Sequence, residues 1–293
     1  MARDTTDYTA FGLTVASEMP LSGFGPPQAI AGEPDVWVRS GPPRVGHDSR
    51  DRVAAIAGGV LRASVWNGEE ITVEAVGDAD PDYVSAIVTG ELFSVLLRQR
   101  GHLVVHGSGV ARDGRSIGFV GDSGWGKSTL AAALVARGWS FLTDDLLVIT
   151  EGDGGPVLIP THSSMRLSEE AAVQVDAVAR ARGRAHALTT KLEVDQAGAF
   201  SASRVPLSRL FVLWPVAKPA HRAVPMSPRD LTLELVGHTR GQRLLKDLSV
   251  RQAHLAQCAR VARSVPGLRL ERKPGLDHLD ALCDLVEAKA ADE

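Results

Sequence analysis

Residues 116–130 read Ser-Ile-Gly-Phe-Val-Gly-Asp-Ser-Gly-Trp-Gly-Lys-Ser-Thr-Leu, an apolar run followed by a glycine-rich loop. Residues 121–128 match the pattern G-x-x-x-x-G-K-[ST]. In this pattern the glycines let backbone N–H groups face a phosphate, and the following helix directs its positive end at the same anion. We expect Lys127 to bridge the β- and γ-phosphates and Ser128 to ligate Mg²⁺. The alternative is a glycine-rich turn in which the lysine binds no phosphate.

The flanking sequence favours a phosphate-binding loop, because a very apolar strand precedes it and an Ala/Leu-rich helix follows it. Only six of the 32 basic residues are lysines, and one of them stands where the pattern requires lysine. The sequence therefore predicts nucleotide contacts by one continuous set of residues: Gly121, Asp122, Ser123, Gly124, Trp125, Gly126, Lys127, Ser128 and Thr129.

Two acidic residues, Asp144 and Asp145, follow an apolar segment shortly after the loop. Adjacent carboxylates at a strand end are costly unless water or a cation neutralises them. A Mg²⁺·ATP complex would supply the cation, and the alternative is a solvated turn. One carboxylate would hold the metal, directly or through water, and the other could take a proton from an attacking hydroxyl.

A histidine, His106, lies on the strand before the loop strand. A lone strand histidine is most often a core residue with satisfied hydrogen bonds. The turn at Asp113-Gly114 predicts a hairpin whose register brings His106 near the loop.

The pattern of elements predicts an α/β fold with two parts. Residues 1–95 form a β-rich domain with a hairpin at Asn67-Gly68, and a helix capped by Asp80 runs to about Gln99. Residues 96–293 alternate strands with helices. One of these helices is predicted from the cap Ser168 through to Arg182.

Composition excludes several classes of protein. The chain has 293 residues, of which 44% are hydrophobic and 23% charged, so it is not disordered overall. With 32 basic and 35 acidic residues, it lacks the excess charge of a protein that coats nucleic acid. The two cysteines, Cys258 and Cys283, predict buried thiols in a reducing compartment. No apolar signal core or membrane span is recognisable, so we expect a cytoplasmic protein with no membrane partner.

Together these motifs resemble the HPr kinase/phosphorylase family. The shared order is a His-Gly strand, a hairpin, the loop, a helix ending in Arg-Gly, and an apolar strand followed by Asp-Asp. Here these are His106-Gly107, Gly121 to Ser128, Arg137-Gly138 and Asp144-Asp145. The resemblance is closest over residues 98–150. The segments Phe11 to Leu13 and Ser17 to Leu21 look like those of HPr-kinase-like proteins that phosphorylate lasso peptide precursors.

The resemblance implies a P-loop kinase core of the HPr kinase type with a smaller β-rich N-terminal domain, using ATP and Mg²⁺. It implies that Asp144 accepts the proton of a substrate serine, that Asp145 and Ser128 support the metal, and that Lys127 and His106 act in catalysis. The implied partner is a peptide or small protein with an acceptor serine, and relatives that form rings imply a homo-oligomer. Arg166 and Lys191 match later family motifs, but a surface role is favoured for both.

Two departures bear on activity. Bifunctional members carry glutamate directly after the loop serine, where this chain has Thr129. Their downstream glutamate-containing motif is not recognisable at residues 163–167. We therefore expect a one-way kinase.

Three alternatives stay open from the sequence. They are a regulatory module that binds nucleotide without transferring it, a kinase of a small-molecule alcohol, and a transport or motor ATPase. Transport ATPases need an LSGGQ-like segment and a distant strand ending in Asp-Glu, and neither is recognisable in this sequence.

Overall fold

The strand that leads into the glycine-rich loop lies inside an eight-stranded sheet in the computed structural model of the chain. The structure describes residues 5–44, 56–57, 59–186, 188–217, 221–242 and 248–292. The fold is mixed α/β with three sheets, which agrees with the predicted class.

A six-stranded sheet forms the N-terminal part, in the order β1-β2-β3-β6-β5-β4. Its strands are β1 (Thr6–Ala10), β2 (Leu13–Ser17), β3 (Val36–Ser40), β4 (Ile56–Ala57), β5 (Leu61–Trp66) and β6 (Glu70–Ala75). The predicted hairpin is confirmed, because β5 and β6 pair antiparallel across Asn67 and Gly68. Asn67 and Gly68 have positive φ, 50° and 73°, and the turn is closed by the hydrogen bond from the Glu69 N–H to the Trp66 carbonyl at 2.9 Å, so that three residues separate the paired Trp66 and Glu70.

A helical segment connects this sheet to the rest of the chain. It consists of α1 (Pro81–Ile87), a π-helical turn (Val88–Leu92) and α2 (Phe93–Gln99). The predicted cap is confirmed, since the Asp80 carboxylate accepts the N–H groups of Asp82 at 2.9 Å and Tyr83 at 3.4 Å. The π turn was not predicted. It carries Gly90, which lies beside Asp145 and Arg240.

The predicted division into residues 1–95 and 96–293 stays a prediction. The N-terminal sheet and its helix share one hydrophobic cluster with residues of the larger sheet. Those residues are Val104, Leu146, Val148 and Ile159.

The larger sheet has the order β11-β10-β7-β8-β15-β17-β16, and β9 also pairs with β7. Its strands are β7 (Leu103–Arg112), β8 (Arg115–Val120), β9 (Ser140–Thr143), β10 (Leu146–Gly152), β11 (Gly155–Ile159), β15 (Val205–Pro215), β16 (Arg222–Pro225) and β17 (Gly267–Arg272). The strands β8, β15 and β17 run parallel. The loop at 121–126 leaves the carboxyl end of β8, which is where open α/β sheets bind ligands.

Helices cover both faces of this sheet: α3 (Lys127–Ala136) and α7 (Leu279–Ala291) on one, α5 (Pro228–Gly237) and α6 (Leu248–Ser264) on the other. Alternate residues of β15 point to the two faces. Phe211 and Leu213 join the cluster of α3 and α7, whereas Leu210 and Val212 join that of α5 and α6. The run 210–213 is therefore apolar throughout, as expected of a strand buried on both faces. Both cysteines are free and buried, as predicted.

One predicted helix was too long. The Ser168 cap is confirmed by the hydrogen bond that its hydroxyl accepts from the Ala171 N–H at 3.2 Å. However, α4 (Glu169–Gln174) ends early in a Schellman motif at Asp176, whose φ is 50°. There the Asp176 N–H donates to Val173 and the Ala177 N–H to Ala172.

A short 3-10 helix (Val178–Arg180) follows, and the chain then forms the strand β13 instead of continuing as an α-helix. This strand lies in a small sheet of β12 (Ser164–Leu167), β14 (Leu192–Asp195) and β13 (Ala181–Arg184).

A buried histidine makes the fold sensitive to acid. Burial, together with the charge of Arg98, lowers the pKa of His254 to about 4. The unfolded imidazole binds its proton near pH 6.5, so stability is full above that pH and is lost as the pH falls towards 4. The loss expected from His254 by pH 4.5 is about 2.5 kcal/mol. In urea denaturation at pH 7 and 4.5, His254→Gln should lose that much less stability than the wild type. Equal losses in the two proteins would contradict the assignment.

Candidate active site

The glycine-rich loop has the backbone that its sequence predicts. Gly124 and Gly126 have φ angles of 83° and 91°, in the region that favours glycine. A Cβ on Gly126 would lie 2.2 Å from Nη1 of Arg272, which donates a hydrogen bond to the carbonyl of Trp125. A side chain at residue 126 would therefore displace the Arg272 guanidinium, and it would also be strained by the φ of 91°. Helix α3 begins immediately after it, at Lys127.

The loop lysine is buried and folds back over the loop. Its ammonium group donates to the carbonyl oxygens of Gly121 at 2.7 Å and Asp122 at 2.9 Å. Burial lowers the pKa of Lys127 to about 8, although the charges of Asp144 and Asp145 act to raise it. Both carboxylates therefore act electrostatically on the loop lysine.

Asp144 is 4% exposed, and three donors from three different elements surround its carboxylate. Oδ1 accepts the hydroxyl of Ser108 on β7 at 2.7 Å and that of Ser128 on α3 at 2.8 Å. Oδ2 accepts the N–H of Arg166 on β12 at 3.0 Å. A buried carboxylate needs such partners, and here they fix the start of α3 to the end of β9.

Asp145 is half-buried and faces cations. Its φ of 68° turns the chain, so that its side chain meets partners different from those of Asp144. Oδ1 lies 3.1 Å from Nδ1 of His106, and Oδ2 lies 3.2 Å from Nη2 of Arg240 and 3.9 Å from Nη1 of Arg166. Burial alone would raise the pKa of Asp145. The His106 hydrogen bond and the charges of Arg240, His106 and Arg166 outweigh burial and hold that pKa well below its ordinary value.

The structure brings most of the predicted site residues together. His106 contacts Asp145, and Ser128 contacts Asp144 rather than Asp145. The Trp125 ring packs edge-on against Trp214, with the ring centroids 5.8 Å apart. The other loop residues follow in sequence: Asp122, Ser123 and Gly124 are exposed, and Thr129 is partly exposed in the first turn of α3.

Several functional candidates were missed or misjudged. A surface role was favoured for Arg166, but its backbone contacts Asp144 and its side chain faces Asp145. Ser108 was overlooked even though it lies two residues after His106 on one strand, which places both on one face. Arg240 carries no local sequence signal, because its partner is 95 residues away.

The donor set fits the ligands that the sequence predicts. The adjacent Ser128 hydroxyl and Asp144 carboxylate are hard oxygen donors of the kind that Mg²⁺ prefers. Within the described residues there is no group of three or more His, Cys, Asp or Glu side chains that could hold a metal ion. A Mg²⁺ ion here would therefore complete its shell with phosphate oxygens and water, which is its usual behaviour at nucleotide sites.

Comparisons with known proteins add little to this geometry. No protein-family model matches the chain, and no curated protein matches it. Among solved structures, the chain is similar to the Hpr(Ser) kinase/phosphatase from Coxiella burnetii, with 14% identity and a TM-score of 0.33. The match covers 64% of this chain and 89% of that one. Similarity at this level carries no argument about function. In the described part of the chain, no helix has both the length and the apolar character needed to cross a bilayer.

The low pKa of Lys127 can be tested directly. In ¹³C NMR of lysine-labelled protein, we expect one Cε signal to titrate near pH 8 and to be missing from Lys127→Arg. Asp144→Asn should lower this pKa further, because the Asp144 charge stabilises the ammonium form. Asp113→Asn, which removes a carboxylate from an exposed hairpin turn, is the matched control and should leave the signal unchanged. A Lys127 signal that titrates at the ordinary value of 10.5 would contradict the buried, folded-back lysine.

Proposed function

We propose that this chain is an ATP-dependent kinase that transfers a phosphoryl group to a serine hydroxyl, in a ribosomally made precursor peptide of the lasso type. The phosphoryl-transfer part rests on the residues of the site. The choice of serine and of a precursor peptide rests on the resemblance of the sequence motifs.

The proposal rests mainly on one observation. The buried Asp144 accepts a hydrogen bond from the loop residue Ser128, and the next residue, Asp145, provides a second, more accessible carboxylate. Ser128 and Asp144 are 2.8 Å apart, and Asp145, the next residue, is held by His106. A phosphate-binding loop beside two carboxylates in different surroundings provides separate groups for a metal ion and for a proton.

The contacts favour exchanging the two roles that the family resemblance implied. Asp144 with Ser128 would hold Mg²⁺, which when bound neutralises phosphate charge. Lys127 would leave the loop carbonyls and bind phosphate oxygens, as the N–H groups at the start of α3 do. Asp145 is kept ionised by the cations around it and is oriented by His106, and it would take the hydroxyl proton late in the transfer, when the forming bond to phosphorus has made that proton acidic.

The proposed reaction is an in-line exchange of one phosphorus–oxygen bond for another. The acceptor oxygen forms a bond to the γ-phosphorus of ATP as the bond from that phosphorus to the β,γ-bridging oxygen breaks. The hydroxyl proton goes to Asp145, and ADP leaves. The site residues contribute mainly position and charge, as in other phosphoryl transfers.

The cleft above the two carboxylates supports a role for the N-terminal part in acceptor binding. Gly23, Thr89 and Gly90 line one wall of this cleft. The rest of the lining comes from β12, β14 and the preceding loop, with His162, Ser164, Met165, Arg166 and Glu193. An acceptor reaching Asp145 by this route would pass between the π turn at Gly90 and the small sheet, which would have to move apart because the space between them is only about 20 Å³.

A transfer assay tests the function. With Mg²⁺·ATP and precursor peptides encoded beside this chain's gene, we expect a mass gain of about 80 Da on a peptide serine. A peptide with that serine replaced by alanine should gain nothing. Lys127→Ala should reduce transfer at least about 100-fold, because it removes a cation from the transferring group.

The control for this assay is Lys289→Ala, which removes a partly exposed lysine that pairs with Asp292 on helix α7. It should leave transfer unchanged. Nucleotide binding without product on any peptide or small alcohol would favour the regulatory module, and product on alcohols alone would favour a small-molecule kinase.

The division of roles between the two carboxylates predicts opposite behaviour of two variants. Asp144→Asn should lose the gain in ATP affinity that Mg²⁺ provides, because it removes a metal ligand. Asp145→Asn should bind Mg²⁺·ATP normally but lose transfer, because its amide cannot take the proton. Calorimetry with and without Mg²⁺, together with the transfer assay, separates the two. The reverse result would restore the assignment implied by the resemblance.

A further inference from the structure

The segment His238-Thr239-Arg240, which we call the clip segment, follows α5 and lies along the free edge of β7. The His106 N–H donates to the carbonyl of His238 at 2.7 Å, and the Arg240 N–H donates to that of Val104 at 3.1 Å. The other edge of the same stretch of β7 pairs with β10. The backbone of Arg240 is thus fixed to the strand that carries His106.

The clip segment reaches both halves of the site. At one end, Nδ1 of His238 lies 3.6 Å from the carboxylate of Asp122 in the loop, and its ring packs edge-on against Trp125. At the other end, Nη2 of Arg240 lies 3.2 Å from Oδ2 of Asp145. The segment therefore spans the distance from the phosphate-binding loop to the second carboxylate.

The Arg240 guanidinium has an N–H donor that is not used in a hydrogen bond to the described residues. Its Nε is buried and has no hydrogen-bond partner among the described residues, while its side chain stays 32% exposed. An arginine presents five N–H donors in a planar fork that suits phosphate oxygens. A buried donor without a partner is costly, and an anion that reached it would remove that cost.

The surroundings hold Arg240 in place without covering it. A Cβ on Gly90, in the π turn, would lie 3.5 Å from Oδ2 of Asp145 and 3.6 Å from Nη2 of Arg240. Further along the same helical segment, the Arg98 guanidinium donates to the carbonyl of Gly241 at 3.1 Å. Gly241 has a φ of 65°, so the chain turns sharply just after Arg240.

We propose that Arg240 is a further catalytic residue, whose guanidinium passes from Asp145 to the transferring phosphoryl group. The inference rests on the proposed function. Arg240 contacts Asp145, and the same clip segment contacts the loop that carries Lys127 through His238. A phosphoryl group bound by Lys127 competes with Asp145 for Arg240. The arginine then neutralises the charge that spreads over the phosphoryl oxygens during transfer.

The test measures binding of ADP with aluminium fluoride, a mimic of the transferring phosphoryl group. By calorimetry, Arg240→Ala should bind Mg²⁺·ADP within about threefold of the wild type. Its affinity for Mg²⁺·ADP with aluminium fluoride should fall about 100-fold or more. In the transfer assay its kcat should fall about 1,000-fold with little change in the KM for ATP, and added guanidinium should restore part of it.

Two further variants control the test. Arg62→Ala removes an exposed arginine that pairs with Glu74 on the N-terminal sheet, and it should behave as the wild type. Asp145→Asn releases Arg240 without removing it, so it should keep the affinity for the aluminium fluoride complex. If Asp145→Asn lost this affinity as fully as Arg240→Ala, Arg240 would act only by holding Asp145, and the inference would be wrong.

The remaining outcomes also support or overturn the proposed role of Arg240. Should Arg240→Ala melt well below the wild type, Arg240→Lys replaces it and is expected to weaken the aluminium fluoride complex at least about tenfold, because lysine lacks the planar fork. Full affinity in the folded variant overturns the role of Arg240 but leaves the proposed kinase intact. If the wild type binds neither Mg²⁺·ATP nor Mg²⁺·ADP, the proposed function fails as well.

Discussion

The carboxylate of Asp144 is the group on which the arrangement of the site depends. Its hydrogen bonds come from Ser108 on the central hairpin, Ser128 at the start of α3 and Arg166 on the small sheet. Each donor belongs to a different element, so the elements are fixed to one another at a single buried group. Loss of any partner would leave part of a buried carboxylate unpaired, at a cost of about 1–3 kcal/mol or more. The geometry of the loop is thereby tied to the packing of the whole larger sheet.

The neighbouring Asp145 differs from Asp144 because the backbone reverses between them. A φ of 68° directs its side chain towards His106, Arg240 and Arg166, away from the serines that satisfy Asp144. One carboxylate thus accepts neutral donors in the interior, while the next faces cations beside the cleft. Adjacent carboxylates in different surroundings can take different chemical roles. The turn at Asp144-Asp145 therefore gives two adjacent carboxylates different partners.

Local patterns made much of this predictable, and long-range contacts limited the rest. The loop, the hairpin at Asn67-Gly68 and the Asp80 cap each depend on residues close together in sequence, so motif and turn chemistry sufficed. The end of α4 was missed because an aspartate rather than a glycine takes the positive φ there. Arg240 could not be predicted, because it meets Asp145 only through the path of α5 back to β7. The loop motif predicts that Ser128 ligates the metal. It does not predict which of the two aspartates Ser128 contacts, because that depends on how β9 lies beside the loop.

The two main cations of the site are both bound to the protein's own groups. Lys127 donates to the carbonyls of its own loop, and Arg240 pairs with Asp145. Positive charge that would be costly to bury alone is thus kept in place, in the site that we propose binds ATP. If a triphosphate bound, Lys127 and Arg240 would exchange their partners in the protein for phosphate oxygens. The number of contacts made by the two cations would then change little. Hydrogen bonds of the backbone hold the chain at Arg240 and Gly241, so the change of partner that we propose for Arg240 is a movement of its side chain.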